Sequence, residues 1–526
     1  MLINSLEFIV FVAAVLLTYK IVPKKIKWVI LLISSYIFFY LNSKSLTIFL
    51  MISTITVYVV ALKINNIDKI VKDKCKLLEN KDDKKKLKKL AKRNKKIVLT
   101  IGIIINIGIL IILKYSGTFV CELNNIFKSN IPVFKFALPL GISYYTLQAI
   151  SYIVDVYRGK IEADKNLGRV ALFLSFFPQM VEGPIGRYDL LANKLYEPHK
   201  ITYSNFQSGC ELMLWGYFKK MVIADRIAMY VDSVFANYNR YSGLIIVLAI
   251  VGYTLQIYAE FSGGIDIIRG TAELFGINLN KNFERPFYSR SIDEFWRRWN
   301  ITLGTWLKDY VFYPVSLSKF SMKITLASKK VFKESYMSKI IPSAFSLLCV
   351  WLCNGFWHGA GIKYIVYGLY YYIIMMLGKI LEPVGNKIIK ILKINTKVWS
   401  YKLWQIIRTG IFVCFGMLIF RADTLNVAFS MFKSIPKIHD IEMLFDGRMW
   451  SIGCMTSGDW KVLTVATLVF AIISILQEHG FKIRESLNRQ NILFKWAVLI
   501  TLIVSIIIFG IYGEGYNVQS FIYGQF

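Results

Sequence analysis

Long apolar runs, separated by short polar or basic segments, form the dominant pattern along this chain. The clearest runs cover residues 2–19, 28–41, 46–62, 97–113, 139–157, 244–258, 340–352 and 364–377. A hydrocarbon core about 30 Å thick requires about 20 apolar residues per helix, and these runs are continuous, whereas a barrel strand alternates. The pattern therefore predicts an all-α polytopic membrane protein with about 10–12 transmembrane helices.

The composition supports this class. Of the 526 residues, 55% are hydrophobic and only 18% are charged, which excludes an ordinary soluble domain. No polar stretch is long enough to form a soluble domain of its own. Residues 1–526 are therefore predicted to form a single membrane-embedded domain.

The chain is strongly basic, with 64 Lys and Arg residues against 33 Asp and Glu residues and a net charge of +31. In a soluble protein this excess would suggest nucleic acid. Here it follows the segments between the apolar runs, where it reports topology and contact with membrane lipid, so no nucleic-acid partner is expected. Because lysines follow the first run instead of preceding it, we expect a retained helix, an external N-terminus and cytoplasmic residues 20–27.

A dense basic segment, residues 63–96, contains the sequence K-D-D-K-K-K-L-K-K-L-A-K-R-N-K-K. It is predicted to be a cytoplasmic loop, because such a segment is hard to translocate. Leu87, Leu90 and Ala91 give it a weak apolar stripe, which would suit an amphipathic helix lying on anionic headgroups. A solvated run of charge is the alternative, and it is the one we expect.

Two apolar stretches contain residues that interrupt helices. Residues 176–184, F-F-P-Q-M-V-E-G-P, contain two prolines, a glycine and a carboxylate, and residues 261–266, F-S-G-G-I-D, place Asp266 beside a glycine pair. Irregular backbone at membrane depth is tolerated only against protein or a water-filled cavity. We therefore expect re-entrant or interfacial helices around a central tunnel.

Residues 283–314 form a polar and aromatic segment. Ser291 and Glu294 have the spacing of a capping box, so a helix is predicted to begin there and to end at Pro314. Its aromatic and apolar face contains Phe295, Trp299, Leu303, Trp306 and Tyr310. Such a helix can simply lie in the membrane interface, but Asn300 and Thr302 interrupt the apolar sector and favour a site.

A histidine stands between two apolar runs, in the sequence C-N-G-F-W-H-G-A-G of residues 353–361. His358 is therefore predicted to lie inside the membrane, where an ionisable side chain is costly and marks a functional site. The alternative is a core histidine that is hydrogen-bonded to a neighbouring helix. The other three histidines, in more polar surroundings, are His199, His439 and His479.

Five motifs together resemble the membrane-bound O-acyltransferase family, and more closely its bacterial branch, which includes alginate O-acetylation and teichoic acid D-alanyl transfer proteins. They are F-F-P-Q-M-V-E-G-P-I at 176–185, F-S-G-G-I-D at 261–266, R-P-F-Y-S-R-S-I-D-E-F-W-R-R-W-N at 285–300, N-G-F-W-H-G-A-G at 354–361 and F-G-M-L-I-F-R-A at 415–422. The resemblance implies that His358 is catalytic and that Asn300 occupies the position of a second polar residue, His or Asn. The F-R-A motif at Arg421 favours polysaccharide acetylation.

The chemistry that the resemblance implies is acyl transfer from a thioester to a glycan hydroxyl. It requires a base, an oxyanion donor and exclusion of water. His358 suits the base, and Asn300 either binds the carbonyl oxygen or orients the imidazole. Candidate tunnel residues are Asp266, Arg297, Arg298, Trp299, Asp309 and Trp357. At the inner mouth, Arg297 and Arg298 would attract the donor or anchor lipid.

No bound cofactor and no metal are expected. The donor, acetyl-CoA or a phosphopantetheine carrier, would be cytoplasmic, and the acceptor glycan would be extracellular. The family resemblance alone implies a secreted or membrane-anchored acyl-handling partner. D-alanyl transfer to teichoic acid is a rival within the class. A transporter or lipid flippase is a rival outside it, disfavoured because no internal repeat is visible.

Overall fold

The computed structural model describes residues 1–133, 136–437 and 442–512, and His439 lies outside them. Over these residues the chain is helical and forms no strand, only an isolated bridge between Phe283 and Trp299. The predicted all-α class is therefore confirmed. The chain divides into two compact units: Met1–Cys210 with Ile268–Asn280, and Glu211–Ile267 with the described residues from Lys281 onward.

Eight helical stretches of the described chain are long and apolar enough to cross a membrane. They are Lys24–Leu77, Lys81–Cys121, Gly243–Leu274, Tyr336–His358, Ile362–Ile391, Trp399–Arg421, Ser457–Glu478 and Ile492–Phe509. The first of these stretches contains two helices, and two further apolar helices are only 16 residues long. These stretches confirm a polytopic membrane protein.

The first helices of the N-terminal part cover the predicted apolar runs, and the third and fourth of them extend well beyond theirs. They are α1 (Leu6–Ile21), α2 (Lys27–Ser43), α3 (Thr47–Leu77), α4 (Lys81–Phe127), α5 (Ile142–Tyr157), α6 (Leu167–Ser175), α7 (Phe177–Met180), α8 (Tyr188–Tyr196) and α9 (Tyr203–Tyr217). Aromatic rings fill the core of the first unit: Phe177 contacts Phe38 and Phe275 at ring-centroid distances of 6.0 and 5.9 Å.

The remaining helices complete the described chain. They are α10 (Asp225–Ala236), α11 (Gly243–Leu274), α12 (Ile292–Arg298), α13 (Ile301–Leu307), α14 (Tyr313–Ser316), α15 (Lys319–Phe332), α16 (Tyr336–His358), α17 (Ile362–Ile391), α18 (Trp399–Arg421), α19 (Leu425–Ser434), α20 (Glu442–Phe445), α21 (Ser457–Glu478), α22 (Ile483–Asn488) and α23 (Ile492–Phe509). In the second unit α16 packs along α17, and α17 packs along α18.

The predicted interruption at residues 176–184 is confirmed. Helix α6 ends at Ser175, the single-turn helix α7 follows, and the chain then continues without regular structure to Arg187. The backbone N–H of Phe177 donates to Ser35 Oγ at 3.0 Å, so a side chain of α2 satisfies a donor that the break releases. Glu182 is buried, as expected for irregular backbone packed against protein.

The predicted interruption at residues 261–266 is wrong, because α11 continues through it as one helix. The glycines there serve helix packing. A Cβ at Gly216 of α9 would lie 2.6 Å from the Gly263 carbonyl oxygen and 2.7 Å from the Ile267 side chain. The two backbones can therefore approach this closely only where side chains are absent.

The segment 283–314 is also not the single helix that was predicted. It begins as expected, because Ser291 Oγ accepts from the backbone N–H of Glu294 at 3.2 Å. The helix stops at Arg298, and a new one starts at Ile301. Pro314 lies in the first turn of α14 and so does not end a helix.

Substitution of Gly216 tests the close crossing of α9 and α11. We expect Gly216→Val to destabilise the protein by about 1–3 kcal/mol, because the added side chain overlaps Gly263 and Ile267. Gly410→Val is the matched control, since nothing lies within 4 Å of a Cβ there. Thermal unfolding in detergent should show a lower midpoint for Gly216→Val only, and equal midpoints would contradict the crossing.

Candidate active site

His358 is the last residue of α16 and is almost completely buried. The helix ends there because Gly359 is extended, and α17 begins three residues later at Ile362. The two helices approach closely: a Cβ at Gly355 would collide with the Tyr364 carbonyl oxygen. The glycines around His358 therefore allow the backbone of α17 to pack against the last turn of α16, which carries the imidazole.

Aromatic rings surround the imidazole. Its ring centroid lies 4.9 Å from that of Trp357, 5.0 Å from Phe420, 5.7 Å from Tyr367 and 6.5 Å from Tyr364. Phe420 and Tyr367 meet it nearly edge to face, with interplanar angles of 89° and 85°. We call these four residues the aromatic cage. The cage fixes the position of the imidazole and keeps it away from bulk water.

Phe420 is fixed by the residues that follow it. The Arg421 guanidinium donates to Asp232 Oδ1 at 2.7 Å and lies 5.1 Å from the ring centroid of Phe235. The Lys363 ammonium donates to the Ala422 carbonyl at 2.8 Å, which ties the start of α17 to the end of α18. The F-R-A motif therefore holds one wall of the cage.

Asn300 lies at the break between α12 and α13. Its φ of 44° is in the left-handed region, and its side chain is buried. The break is bridged by a short backbone pairing in which Glu284 N–H donates to the Arg298 carbonyl at 2.9 Å, and Ile301 N–H donates to the Asn282 carbonyl at 3.0 Å. Among the described residues, Asn300 Oδ1 has no hydrogen-bond partner. This oxygen can therefore accept a hydrogen bond from a bound molecule.

Trp299, beside Asn300, is buried among aromatic side chains. Its ring stacks on Phe295 with centroids 5.4 Å apart and meets Phe283 edge to face at 5.0 Å. These contacts tie the end of α12 to the segment that precedes it in the chain.

Trp296 connects α12 to the cage, a role that the sequence analysis missed. Its ring contacts Tyr371 at 4.8 Å and Tyr367 at 6.4 Å, and Tyr367 in turn contacts His358. Helix α13, which follows Asn300, packs against α16. The segment of Asn300 and the helix of His358 therefore belong to one packed cluster within the second unit.

Asn354 is a further polar residue that the sequence analysis did not select. It lies one helical turn before His358, on the same side of α16. Its side chain is buried, and Asn354 Oδ1 has no hydrogen-bond partner among the described residues. The spacing of four residues from His358, inside an apolar run, was the signal that could have identified it.

Comparison with known proteins identifies the family. The family model for membrane-bound O-acyltransferases matches residues 163–421, which include Asn300, Asn354, His358 and Arg421. A teichoic acid D-alanyltransferase of Bacillus subtilis is 30% identical over 285 residues, which are 53% of this chain and 68% of that protein. This chain belongs to the membrane-bound O-acyltransferase family.

Two further relatives match longer segments. A probable alginate O-acetylase of Pseudomonas syringae pv. tomato is 32% identical over 381 residues, which are 72% of this chain and 66% of that protein. A peptidoglycan O-acetyltransferase of Helicobacter pylori is 29% identical over 375 residues, 66% of each chain. The match spans 60–66% of the length of three alginate O-acetylases, just under two thirds.

The two arginines predicted for the mouth of the acyltransferase tunnel differ in their surroundings. Arg297 is exposed, whereas Arg298 is half-buried and pairs with Glu294 at 2.7 Å and with Glu478 at 3.0 Å. Burial lowers the pKa of Arg298, but the two carboxylates outweigh it and raise that pKa above its ordinary value. Arg285 also binds Glu478, at 2.6 Å. Arg298 therefore joins α12 to the end of α21.

Asp266 forms an ion pair in this structure. Lys219 Nζ lies 2.7 Å from its carboxylate and 3.1 Å from Ser262 Oγ. The neighbouring Lys220 is fully buried and pairs with Asp225 and Glu260 at 2.8 and 2.9 Å. Both lysines lie on a π-helical turn, Phe218–Ala224, which the sequence analysis missed. This network neutralises charges that would otherwise be costly inside the protein.

The remaining predicted residues lie on two elements. Trp357 is a member of the cage, and Asp309 is half-buried on the π-helical turn Lys308–Phe312. The structure therefore places Trp357 against His358 directly and Asp309 on a turn that packs against α16. No group of three or more His, Cys, Asp or Glu side chains with metal-binding geometry is found in the described parts of the chain.

The left-handed conformation of Asn300 gives a stability prediction. Glycine adopts a positive φ readily, whereas alanine in this region costs about 1–2 kcal/mol. We expect Asn300→Gly to unfold at a higher temperature than Asn300→Ala, although both lose the amide. Thermal unfolding in detergent measures the difference. An alanine variant that is as stable as the glycine variant would show that the backbone here is not constrained.

Proposed function

We propose that this protein is an O-acyltransferase that moves an acetyl group from a thioester to a glycan hydroxyl, with His358 as the general base. The observation that carries the proposal is the buried imidazole of His358, held by the aromatic cage at the end of a candidate membrane-spanning helix. The position lies within the segment that matches the acyltransferase family. A structural histidine would need neither the glycine-rich turn nor the orphaned polar atoms nearby.

The chemistry follows from the groups present. His358 takes the proton of the acceptor hydroxyl as its oxygen attacks the thioester carbonyl, and a tetrahedral oxyanion forms. The carbon–sulfur bond then breaks, and the departing sulfur receives the proton from the imidazolium. The imidazole must be neutral at the start, because only the neutral form can accept the proton. The acyl group ends on the glycan oxygen, and the free thiol leaves.

The two buried asparagines supply the hydrogen-bonding groups that the reaction needs in addition to the base. The orphaned Oδ1 atoms of Asn300 and Asn354 suit an imidazole N–H or the hydroxyl of an acceptor. The amide N–H groups of the same side chains suit the oxyanion, where one such donor is typically worth a factor of about 10²–10³ in rate. Asn300 is the stronger candidate, because its left-handed backbone is a strained feature of the kind found at functional sites.

The sidedness of the reaction follows from the charge pattern. We place the N-terminus outside and the basic residues 63–96 in the cytoplasm, since Lys and Arg are retained on that side. The thioester, acetyl-CoA or a phosphopantetheine carrier, then approaches from the cytoplasm, and the glycan approaches from outside through a tunnel. Arg297 is exposed and suits a phosphate at the inner mouth. A secreted or membrane-anchored protein would complete acyl handling outside.

Acetyl is preferred to D-alanyl because of the extent of the matches. The alignment to an alginate O-acetylase covers 72% of this chain, whereas that to a D-alanyltransferase covers 53%. The F-R-A motif, which the family resemblance associates with polysaccharide acetylation, also holds Phe420 in the wall of the cage through Arg421. D-alanyl transfer to teichoic acid is the second candidate, and the same experiment distinguishes the two.

The test is release of acetate and of D-alanine by mild alkali from surface glycans of cells carrying wild type or His358→Ala. We expect acetate release to fall by a factor of at least about 10², because the general base is removed. D-alanine release should not change. His479→Ala is the matched control, because that histidine is exposed at the end of α21, and it should behave as wild type.

Three other outcomes would revise the proposal. Loss of D-alanine in place of acetate would assign the protein to teichoic acid. Loss of acetate in the His479→Ala control as well would show that the effect comes from general damage to the protein. No change in either product, with His358→Ala present in the membrane at normal levels, would remove His358 as the base and favour a transporter or flippase.

The amide of Asn300 can be tested separately from its backbone. Asn300→Gly keeps the left-handed turn and removes the side chain, so acetylation should fall by a factor of about 10²–10³ while the thermal midpoint changes little. Activity of the membrane fraction and thermal unfolding are measured on the same preparation. Retained activity in Asn300→Gly would limit Asn300 to a backbone role.

A further inference from the structure

The basic segment 63–96, predicted as a cytoplasmic loop between two membrane helices, is itself helical and forms a hairpin. Helix α3 continues from its apolar part to Leu77, and α4 begins at Lys81 and continues into its own apolar part. The two helices pack along each other, and Lys95 bridges to Asp68 at 2.7 Å. At 1.5 Å per residue, the polar part of each helix is about 22–24 Å long.

This hairpin continues the direction of the two membrane helices. Neither helix has a backbone break where its polar part meets its apolar part, so the polar part cannot turn to lie flat on the membrane. Its tip, near residues 77–81, is therefore held about 20 Å beyond the apolar parts of the two helices. This position excludes the amphipathic helix on headgroups that the apolar stripe suggested.

The tip carries an apolar groove of about 460 Å³. Its floor is formed by Leu77, Leu78, Leu87 and Leu90, and Lys74, Lys86 and Asp83 line its edge. Leu77 is 85% exposed and Leu90 is 56% exposed. Exposed leucines at the end of a highly charged hairpin are costly in water, and a cluster of them indicates an interaction surface.

The charge around the groove identifies the kind of partner. Residues 63–96 contain fifteen basic and five acidic side chains. Within this fully described segment, three lysines form ion pairs with its carboxylates: Lys76, Lys86 and Lys95. The hairpin therefore presents a large uncompensated positive charge around an apolar floor. An acidic surface with apolar side chains at its centre is the complement of this arrangement.

We propose that the tip of the hairpin is a docking site for an acidic partner protein. The partner presents an amphipathic helix whose apolar residues enter the leucine groove and whose carboxylates meet the surrounding lysines. The distance of the groove from the membrane favours a protein over a lipid surface. The site belongs to the first unit, so it stands or falls independently of the function of His358.

The test uses full-length protein in phosphatidylcholine nanodiscs and a fluorescent peptide with leucines on one helical face and glutamates on the other. The control peptide has the same composition in scrambled order. At physiological ionic strength we expect the amphipathic peptide to bind about tenfold more tightly than the scrambled one, measured by fluorescence anisotropy. Equal binding of the two peptides would show attraction by charge alone and would overturn the proposal that the groove is a docking site.

Variants locate the binding. The double variant Leu77→Gln and Leu87→Gln should weaken binding of the amphipathic peptide about tenfold, because the apolar floor is lost. Ile70→Gln is the matched control: Ile70 is 46% exposed on the same hairpin and does not line the groove, so its substitution should leave binding unchanged. Unchanged binding in the leucine variant would overturn the proposal.

Hydrogen exchange separates the protein partner from the membrane. In nanodiscs with anionic phosphatidylglycerol and no peptide, residues 74–90 should exchange as they do in phosphatidylcholine. Addition of the amphipathic peptide should slow their exchange. Slower exchange caused by the anionic lipid alone would assign the leucines to the membrane and would contradict docking of a protein.

Discussion

The structure depends on burying an imidazole where water is excluded. A titratable side chain in this position is costly unless its surroundings fix it and supply polar partners. The close approach of α16 and α17 at Gly355 meets the first need, because it brings Tyr364 and Tyr367 against His358. Residues with side chains at the glycine positions would separate the helices and open the cage.

Contacts with distant parts of the second unit also fix the cage. Phe420 is held through Arg421 and Asp232, so a surface ion pair determines the position of a ring in contact with the imidazole. On another side of the cage, Trp296 brings α12 against Tyr367 and Tyr371. Trp296 lies two residues before the end of α12, where the break at Asn300 follows. Three of the motifs, at 285–300, 354–361 and 415–422, are therefore neighbours in one aromatic cluster although they are far apart in sequence.

The length of the apolar runs predicted the helical membrane class, and the prolines and the glycine predicted the break at residues 176–184. The apolar runs on both sides of His358 predicted its burial. Such patterns failed where tertiary contacts decide the outcome. The glycine pair at 263–264 resembles a break in the sequence. In the structure, Gly263 packs closely against Gly216 on the facing helix α9. The stop at Asn300 has no proline or glycine, and its left-handed backbone is supported by pairing with residues 282–284. The charged segment 63–96 was predicted as a loop because its apolar stripe is weak. Its helical structure depends on packing of α4 against α3, which the local sequence does not reveal.

We propose His358, held in the aromatic cage, as the base for acyl transfer. Purified protein in nanodiscs, supplied with radiolabelled acetyl thioester and a soluble oligosaccharide, measures transfer directly. We expect label on the oligosaccharide with wild type and a rate at least about 10² lower with His358→Ala of equal thermal stability. Transfer by His358→Ala at the wild-type rate would contradict the claim.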